Sequence, residues 1–299
     1  MANSFTHAEK YLPILDEIYQ KESKSARLEA RDVQFDGADK VYLYKTSMQG
    51  LGDYDRQNGF IGGDVTGTWE SHQLTQDRGR SFTIDTMDNE ETLGMAFGTL
   101  VGEFLRTKVV PEVDAYVFAK IAGTDGISHG THDKLADISH PAAELDKAIA
   151  QLNEDEVPEA GRIVFVSEKF YQGIQGDITR TIANQDKGIN KTIETYDGVE
   201  IIRVPQKRFL SAITLYNGKS GQAAGGYVPA GTNYNLHFIM CDPNAIKKVT
   251  KHVLPRIFSP AVNQQADAWK FDYRLYYDAF ILENKLKGIY FLRSDEANV

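Results

Sequence analysis

The stretch Asp85–Ala122, DTMDNEETLGMAFGTLVGEFLRTKVVPEVDAYVFAKIA, sets the frame for the rest of the chain. Its apolar residues Leu93, Phe97, Leu100, Val101, Phe104 and Leu105 recur at helical spacing and form one stripe. Asp88 and Glu91 stand three apart, an acidic variant of the capping box. Glu90 and Glu91 add negative charge to the first turn, where the helix dipole favours it. Gly94, Gly98 and Gly102 repeat on a different stripe. Each costs roughly 1 kcal/mol against alanine, so a closely packed neighbour is expected on that face. Pro111 has no amide donor, which puts a kink or a fresh helix start there. Val113, Val117, Phe118 and Ile121 continue the apolar set beyond it. The spacing predicts a long bent helix whose first arm, Asn89–Val109, spans about 31 Å at about 1.5 Å per residue.

Upstream, the chain changes character twice. Phe5, Ala8, Tyr11, Leu12, Leu15, Ile18 and Tyr19 fall on a helical period interrupted by Pro13, and Gln20–Arg31 is polar almost all round. An amphipathic arm of this kind lies on another surface, its own or a neighbour's. Val33–Thr46 alternates like a short strand, with Val41, Leu43 and Phe35 expected on one face. Lys45–Ser81 has seven glycines, no proline and few apolar residues: Met48, Leu51, Tyr54, Phe60, Ile61, Val65, Trp69 and Leu74. It cannot bury a core by itself. Two readings stand: a surface loop, or a two-stranded arm ordered against another subunit. The alternation in its second half, continued by Phe82 and Ile84, favours the arm.

Downstream, Pro141–Lys248 alternates helices and strands. Pro141–Leu152 is an amphipathic helix, GRIVFVS (Gly161–Ser167) a strand of the kind buried on both faces, and Glu168–Ile174 helical. Gly198–Pro205 and Tyr234–Cys241 are further strands, and Asp242–Asn244 is expected to open a short helix through Lys248. In the final segment Trp269, Phe271, Tyr273, Leu275 and Tyr277 occupy alternate positions, with Lys270, Asp272, Arg274 and Asp278 between them. That predicts a strand with one greasy face covered by the long helix, then a turn and a second strand, Gly288–Leu292, forming a C-terminal hairpin.

Composition excludes several classes of chemistry. The 299 residues suffice for one large domain or two modest ones, and the net charge of −9 argues against a protein whose main task is wrapping nucleic acid. A single cysteine, Cys241, rules out an internal disulfide framework and a multi-cysteine zinc site, and its setting in LHFIMC predicts a buried thiol. No secretory signal or membrane-length apolar segment is present. His129, His132 and His140 invite a metal reading, but a glycine-rich connector shows no period that would present them together. Gly218–Lys219–Ser220 resembles the end of a phosphate loop, yet Ile213 stands where glycine is needed. The loop Asn217–Asn233, with five glycines, reads instead as mobile or ordered by a partner. Lys247, Lys248, Lys251, His252 and Arg256 read as a solvated basic face. No catalytic, cofactor or metal constellation emerges, so no enzyme and no cofactor are expected.

SFTIDTMDNEET (Ser81–Thr92) leading into the long helix, VVPEVDAYVFAKIA (Val109–Ala122) and AWKFDYRLYYDAFILENKLKGIY (Ala268–Tyr290) together resemble the major capsid protein of tailed bacteriophages. EKYLPILDEIYQKES (Glu9–Ser23) and DYDRQNGF (Asp53–Phe60) are similar to that family too. The resemblance implies an α+β fold: an N-terminal arm (1–38), an extended β loop (39–83), a peripheral domain with a long spine helix (84–140 and 249–299) and an α/β axial domain (141–248). It implies a structural protein that self-assembles into pentamers and hexamers of an icosahedral head around double-stranded DNA. The alternative it leaves open is an encapsulin-like nanocompartment shell. A soluble α/β enzyme and a nucleic-acid-binding module are the readings from other classes. Inter-subunit contacts are expected at Asp53, Asp55, Arg56, Trp69, Asp77, Arg78, Arg80, Tyr11 and Tyr19, with Asp88 and Glu91 as helix cap and Pro111 as kink. The implied partners are copies of the chain, portal and decoration proteins, and packaged DNA held by weak contacts that would involve Lys21, Lys24, Arg27 and Arg31. No membrane is implied, and the location is the virion, assembled in the host cytoplasm.

Two departures from the family sharpen expectation. Some members carry a long N-terminal scaffolding segment; here the arm begins near Met1, so a separate scaffolding protein is expected. Some crosslink covalently through a lysine in the extended loop, but this chain has no lysine between Lys45 and Lys108. Assembled particles boiled in detergent should therefore run as single chains, and a ladder of covalent multimers would contradict this.

Overall fold

The computed structural model describes residues 23–30, 33–37, 40–57, 59–87, 95–132, 140–181 and 193–298. The central stretch forms a helical rod in two parts, α1 (Met95–Phe104) and α2 (Val110–Ala122), joined by a π turn over Leu105–Val109. In that turn the Val110 amide donates to Leu105 O, five residues back. Two local causes converge there. Pro111 cannot donate to the Thr107 carbonyl, and its ring crowds that oxygen. The Thr107 hydroxyl donates to Glu103 O at 2.7 Å, competing within the ladder. The helix thus widens by one residue just before Pro111 instead of stopping. Asp88 and Glu91, the expected cap, lie outside the described residues, as do Tyr11 and Tyr19.

The rod packs on a three-stranded antiparallel sheet in the order β12 (Ile246–Phe258), β13 (Ala268–Ile281), β4 (Gln76–Asp85). The period of two in β13 puts Phe271, Tyr273, Leu275 and Tyr277 on the buried face. Phe104 from α1 meets Phe82, Phe271 and Tyr273 edge-on, with ring centroids 4.8, 6.4 and 5.8 Å away. Tyr116 from α2 meets Tyr277 in the same way at 5.5 Å. The helix covers the greasy strand face, as the alternation implied.

A second sheet has six strands in the order β5 (Ser128–His132), β14 (Ile289–Asn298), β11 (Asn233–Cys241), β6 (Ile163–Ser167), β8 (Val199–Val204), β7 (Thr195–Tyr196). Each of its faces has its own core. Ile163, Phe165, Ile239 and Cys241 turn toward the rod. Val164, Val166, Phe238 and Met240 turn toward α3 (Pro141–Glu154) and α4 (Glu168–Thr181), meeting Leu145, Leu152, Phe170 and Ile174. That is why β6 is apolar at every position. Cys241 is buried, and its burial raises the thiol pKa, so it is a core residue and not a nucleophile.

Three local expectations are corrected. β14 does not pair with β13; it lies between β11 and β5, so the C-terminal hairpin is absent. A short helical turn (Glu283–Gly288) carries the chain across from one sheet to the other. Val33–Thr46 is not one strand but a hairpin of β1 (Gln34–Asp36) and β2 (Lys40–Met48), turned at Gly37 with φ +62°. Val41 and Leu43 are buried, while Phe35, paired opposite Val41, stays exposed. After Cys241 the chain makes only a single turn at Pro243–Ala245, capped by the Asp242 carboxylate accepting from Asn244 N, and then enters β12.

Phe118 of α2 joins these layers, with ring centroids 5.0 Å from Phe165 of β6 and 5.1 Å from Phe209. Phe118→Ala should lower unfolding stability by about 3–5 kcal/mol in urea titrations. A loss below about 1 kcal/mol would show that the layers do not depend on this contact.

Candidate assembly interface

β2 pairs with β3 (Val65–Gln73) over nine residues, Lys40 opposite Gln73 and Met48 opposite Val65. At its root the ribbon is part of the body. Val41, Leu43 and Leu74 pack with Val249 and Phe280, and the His72 ring lies 4.9 Å from Phe280. Lys45 pairs with Glu70 at 3.0 Å and with Glu283 at 3.7 Å. The root is fixed further by Asp278, 1 % exposed, which accepts from Thr75 N (2.9 Å), Thr75 Oγ1 (2.7 Å) and Tyr116 Oη (2.8 Å). Asp278 was expected on the polar face of β13; the ribbon root closes that face over it. Burial pushes the Tyr116 hydroxyl up to about 12, its hydrogen bond with Thr75 opposing and the Asp278 carboxylate adding to the rise.

Beyond Leu43 the ribbon's large apolar side chains are exposed among the described residues. Tyr44 and Trp69 face each other with centroids 4.9 Å apart. Tyr54 and Phe60 stack edge-on at 5.0 Å across a tight turn closed by Asp55 N donating to Gly59 O and Gly59 N to Asp55 O. Phe60 is 91 % exposed, Ile61 69 %, Trp69 52 %. Of the twelve large apolar side chains exposed among the described residues, eight lie from Tyr44 to Trp69, so the ribbon carries most of them.

The charged residues expected at inter-subunit contacts divide into two groups. Asp53, Asp55 and Arg56 are exposed at the ribbon tip beside Tyr54 and Phe60. Asp77, Arg78 and Arg80 lie on β4 and have partners within the chain. Asp77 accepts two bonds from Arg274, at 2.8 and 2.5 Å. Arg78 donates to Glu112 (2.7 Å) and to the carbonyls of Tyr216 (2.7 Å) and Gly226 (3.4 Å). Arg80 donates to Ala223 O at 3.0 Å. The glycine-rich loop, expected to be mobile or ordered by a partner, is thus held by its own chain between β9 (Ile213–Leu215) and β10 (Tyr227–Pro229).

A second cluster escaped sequence reading. Asp114 of α2 is 0 % exposed and accepts from Ser23 Oγ (2.9 Å), Lys24 N (3.0 Å), Ser25 N (3.1 Å), Ser25 Oγ (2.7 Å) and Arg208 Nη1 (3.3 Å). Lys248, also 0 % exposed, reaches the same serines, with Nζ 3.1 Å from Ser25 Oγ and 3.4 Å from Ser23 Oγ. Ala30 N donates to Lys248 O at 2.8 Å. Lys248 is therefore no part of a solvated basic face. Burial holds its pKa below the usual lysine value, opposed by Asp114 and Glu29. The available signal was Asp114 itself, a charge on the same helical stripe as Val110, Val117 and Phe118. Of the cations expected near DNA, Arg27 pairs with Glu200 at 2.9 Å, and Lys21 and Arg31 lie outside the described residues. His129 stacks on Phe291 at 5.1 Å, and the described residues contain no cluster of metal-ligating side chains. No described helix is long and apolar enough to cross a membrane.

Two outcomes follow from these buried charges. Asp114→Ala should cost about 3–5 kcal/mol of unfolding stability, since it strips a buried lysine of its main counter-charge. A cost under about 1 kcal/mol would contradict this. Tyr116 keeps its proton in the folded state to about pH 12, while an unfolded tyrosine releases it near 10. The unfolded state then binds fewer protons, so stability falls between pH 10 and 12, and Tyr116→Phe should flatten that slope in urea titrations. An unchanged slope would remove Tyr116 as its source.

No protein-family model and no curated protein sequence matches the chain. Solved structures do. The capsid structure of cyanophage P-SCSP1u aligns with TM-score 0.62 at 10% identity, over 88% of this chain and 85% of that one. A structure from Gordonia phage Cozz aligns with TM-score 0.57 at 14% identity, over 93% and 86%. The virus-like particle from Pyrococcus furiosus aligns with TM-score 0.55 at 14% identity, over 96% and 99%. The chain has the mixed α+β fold shared by these phage and virus-like-particle proteins.

Proposed function

We propose that this chain is a major capsid protein that assembles into pentamers and hexamers of an icosahedral phage head around double-stranded DNA, and that it has no enzymatic role. The observation that carries the reading is the ribbon: a rigidly rooted β extension with exposed Tyr44, Met48, Leu51, Phe60, Ile61 and Trp69, on a fold whose structural relatives build shells. A soluble enzyme gains nothing from such a patch. A subunit that must cover a neighbour requires one. In this reading residues 1–38 are the arm, 39–83 the extended loop, 84–140 and 249–299 the peripheral part, and 141–248 the axial part, to which we add β5 and β14 because they hydrogen-bond into its sheet. Asp53, Asp55, Arg56 and Trp69 then contact a neighbouring subunit directly. Asp77, Arg78 and Arg80 act at one remove, by fixing the β4 base from which the ribbon projects. Scaffold, portal and decoration proteins are the further partners, DNA contact is weak and non-specific, and assembly takes place in the host cytoplasm.

The full-length match to the Pyrococcus furiosus virus-like particle favours a second reading, an encapsulin-like compartment. Particle contents separate the two: packaged nucleic acid supports the head, and a co-purified cargo protein supports the compartment.

Negative-stain microscopy of the concentrated protein, alone and co-expressed with neighbouring genes, should show shells, rings or tubes. The combined variant Phe60→Ser, Ile61→Ser, Trp69→Ser should abolish them while leaving the body folded, with the loss of each aromatic pair costing about 0.5–1.5 kcal/mol. Shells built by that variant, or none from the native chain under either condition, would overturn the proposal.

A further inference from the structure

A cleft of about 430 Å³ opens beside the short turn Gln206–Arg208, lined by Gln206, Lys207, Leu210, Tyr227, Pro229 and Asn235. Its frame is rigid. Gln206 Nε2 donates to Phe209 O (2.8 Å) and Asn235 Oδ1 (3.2 Å), and Tyr227 Oη donates to Lys207 O (3.0 Å). Its apolar lining is Leu210, Tyr227 and Pro229, and Lys207, also in the lining, is exposed. That is an open, mostly apolar depression with an exposed lysine among its lining residues, of a size that takes large apolar side chains.

The described chain begins next to this cleft. Ser23 Oγ donates to Asp114, and the other oxygen of Asp114 accepts from Arg208, the last residue of the turn that forms the cleft wall. The sequence leading into Ser23 has the matching chemistry. Tyr11, Leu12, Leu15, Ile18 and Tyr19 recur at helical spacing. Glu9, Asp16, Glu17 and Glu22 outnumber Lys10 and Lys21 between Glu9 and Glu22. An acidic, amphipathic segment tethered beside a mostly apolar cleft with an exposed lysine in its lining is held there at high effective concentration.

We propose that this cleft is the docking site for the chain's own N-terminal arm, with the apolar stripe Leu12–Leu15–Tyr19 entering it and the Asp16 side facing Lys207. The tether, the shape and the charge all point to the same occupant. Docking would continue into the arm the anchoring that Asp114 and Lys248 begin at Ser23 and Ser25. The assignment does not depend on whether the assembled particle is a phage head or a compartment.

The test uses the full chain, dilute and unassembled. The one native thiol, Cys241, is buried and does not interfere. Asp16→Cys combined with Lys207→Cys should form an intramolecular disulfide on mild oxidation, identified by peptide mapping of the single-chain species. Asp16→Cys combined with the remote exposed site Glu159→Cys should form at least tenfold less. Adding Leu12→Asp and Leu15→Asp to the first pair should reduce its yield at least tenfold. Equal yields at Lys207 and Glu159, insensitivity to the two aspartates, or a disulfide formed only between two chains would each overturn the proposal.

Discussion

The fold depends on one arrangement of buried charge. Asp114 and Lys248 are both removed from solvent, and the two serines between them belong to a segment nearly a hundred residues before the first and over two hundred before the second. Neither charge is tolerable alone at that depth. Asp114 collects two backbone amides, two hydroxyls and a guanidinium, which satisfies a carboxylate well. Lys248 takes the same hydroxyls from the other side. With Ser23 and Ser25 absent, Asp114 would lose three of its five bonds and Lys248 both hydroxyl contacts. The segment at Ser23 and Ser25 is therefore part of the body's electrostatic closure and ties the rod to the sheet edge at β12.

The rod gains its position from both sheets at once. Tyr273 and Tyr277 of β13 lie on one side and Phe165 of β6 on the other, with Phe104 and Tyr116 reaching the first and Phe118 the second. Crossing from β13 to β14 ties the two sheets covalently through a short turn, so neither can shift along the rod without straining the other. The π turn before Pro111 sits between these contacts. It lets Leu105 and Val109 stay buried although proline removes a hydrogen bond at that point.

Much of this was legible in residue spacing. The rod, the alternating face of β13, the two-sided burial of β6 and the inert Cys241 all follow from periodicity, because burial there is a local property of each element. What the spacing could not supply was pairing between distant segments. The stretch Gly288–Leu292 reads as a strand whether its neighbour is β13 or β11, and a hairpin was the shorter connection. Lys248 sits in a basic run, and only its placement against Ser23 and Ser25 shows that it faces inward. The Asp278 side of β13 looks solvent-facing until Thr75 and Tyr116 close over it. At the candidate interface, composition identified the ribbon as a segment unable to bury its own apolar residues. Which of its neighbouring charges are engaged within the chain, as Asp77, Arg78 and Arg80 are, required the fold.

The ribbon combines a fixed root with an exposed tip. Its root is over-determined: Leu43 and Val41 in a core cluster, Asp278 accepting three bonds from Thr75 and Tyr116, Arg78 bound to Glu112. Past Tyr44 only two strands remain, and a two-stranded ribbon by itself is marginal in water. The aromatic pairs Tyr44–Trp69 and Tyr54–Phe60 stiffen it at two points without hiding it. Side chains that are already ordered lose less entropy on contact, so a surface covering them gains most of their burial as net stability. Direction is set by the root and fit by the tip. On the proposed capsid reading, that division of labour would let a single sequence meet neighbours at slightly different angles, the geometric demand that any closed shell built from one chain imposes.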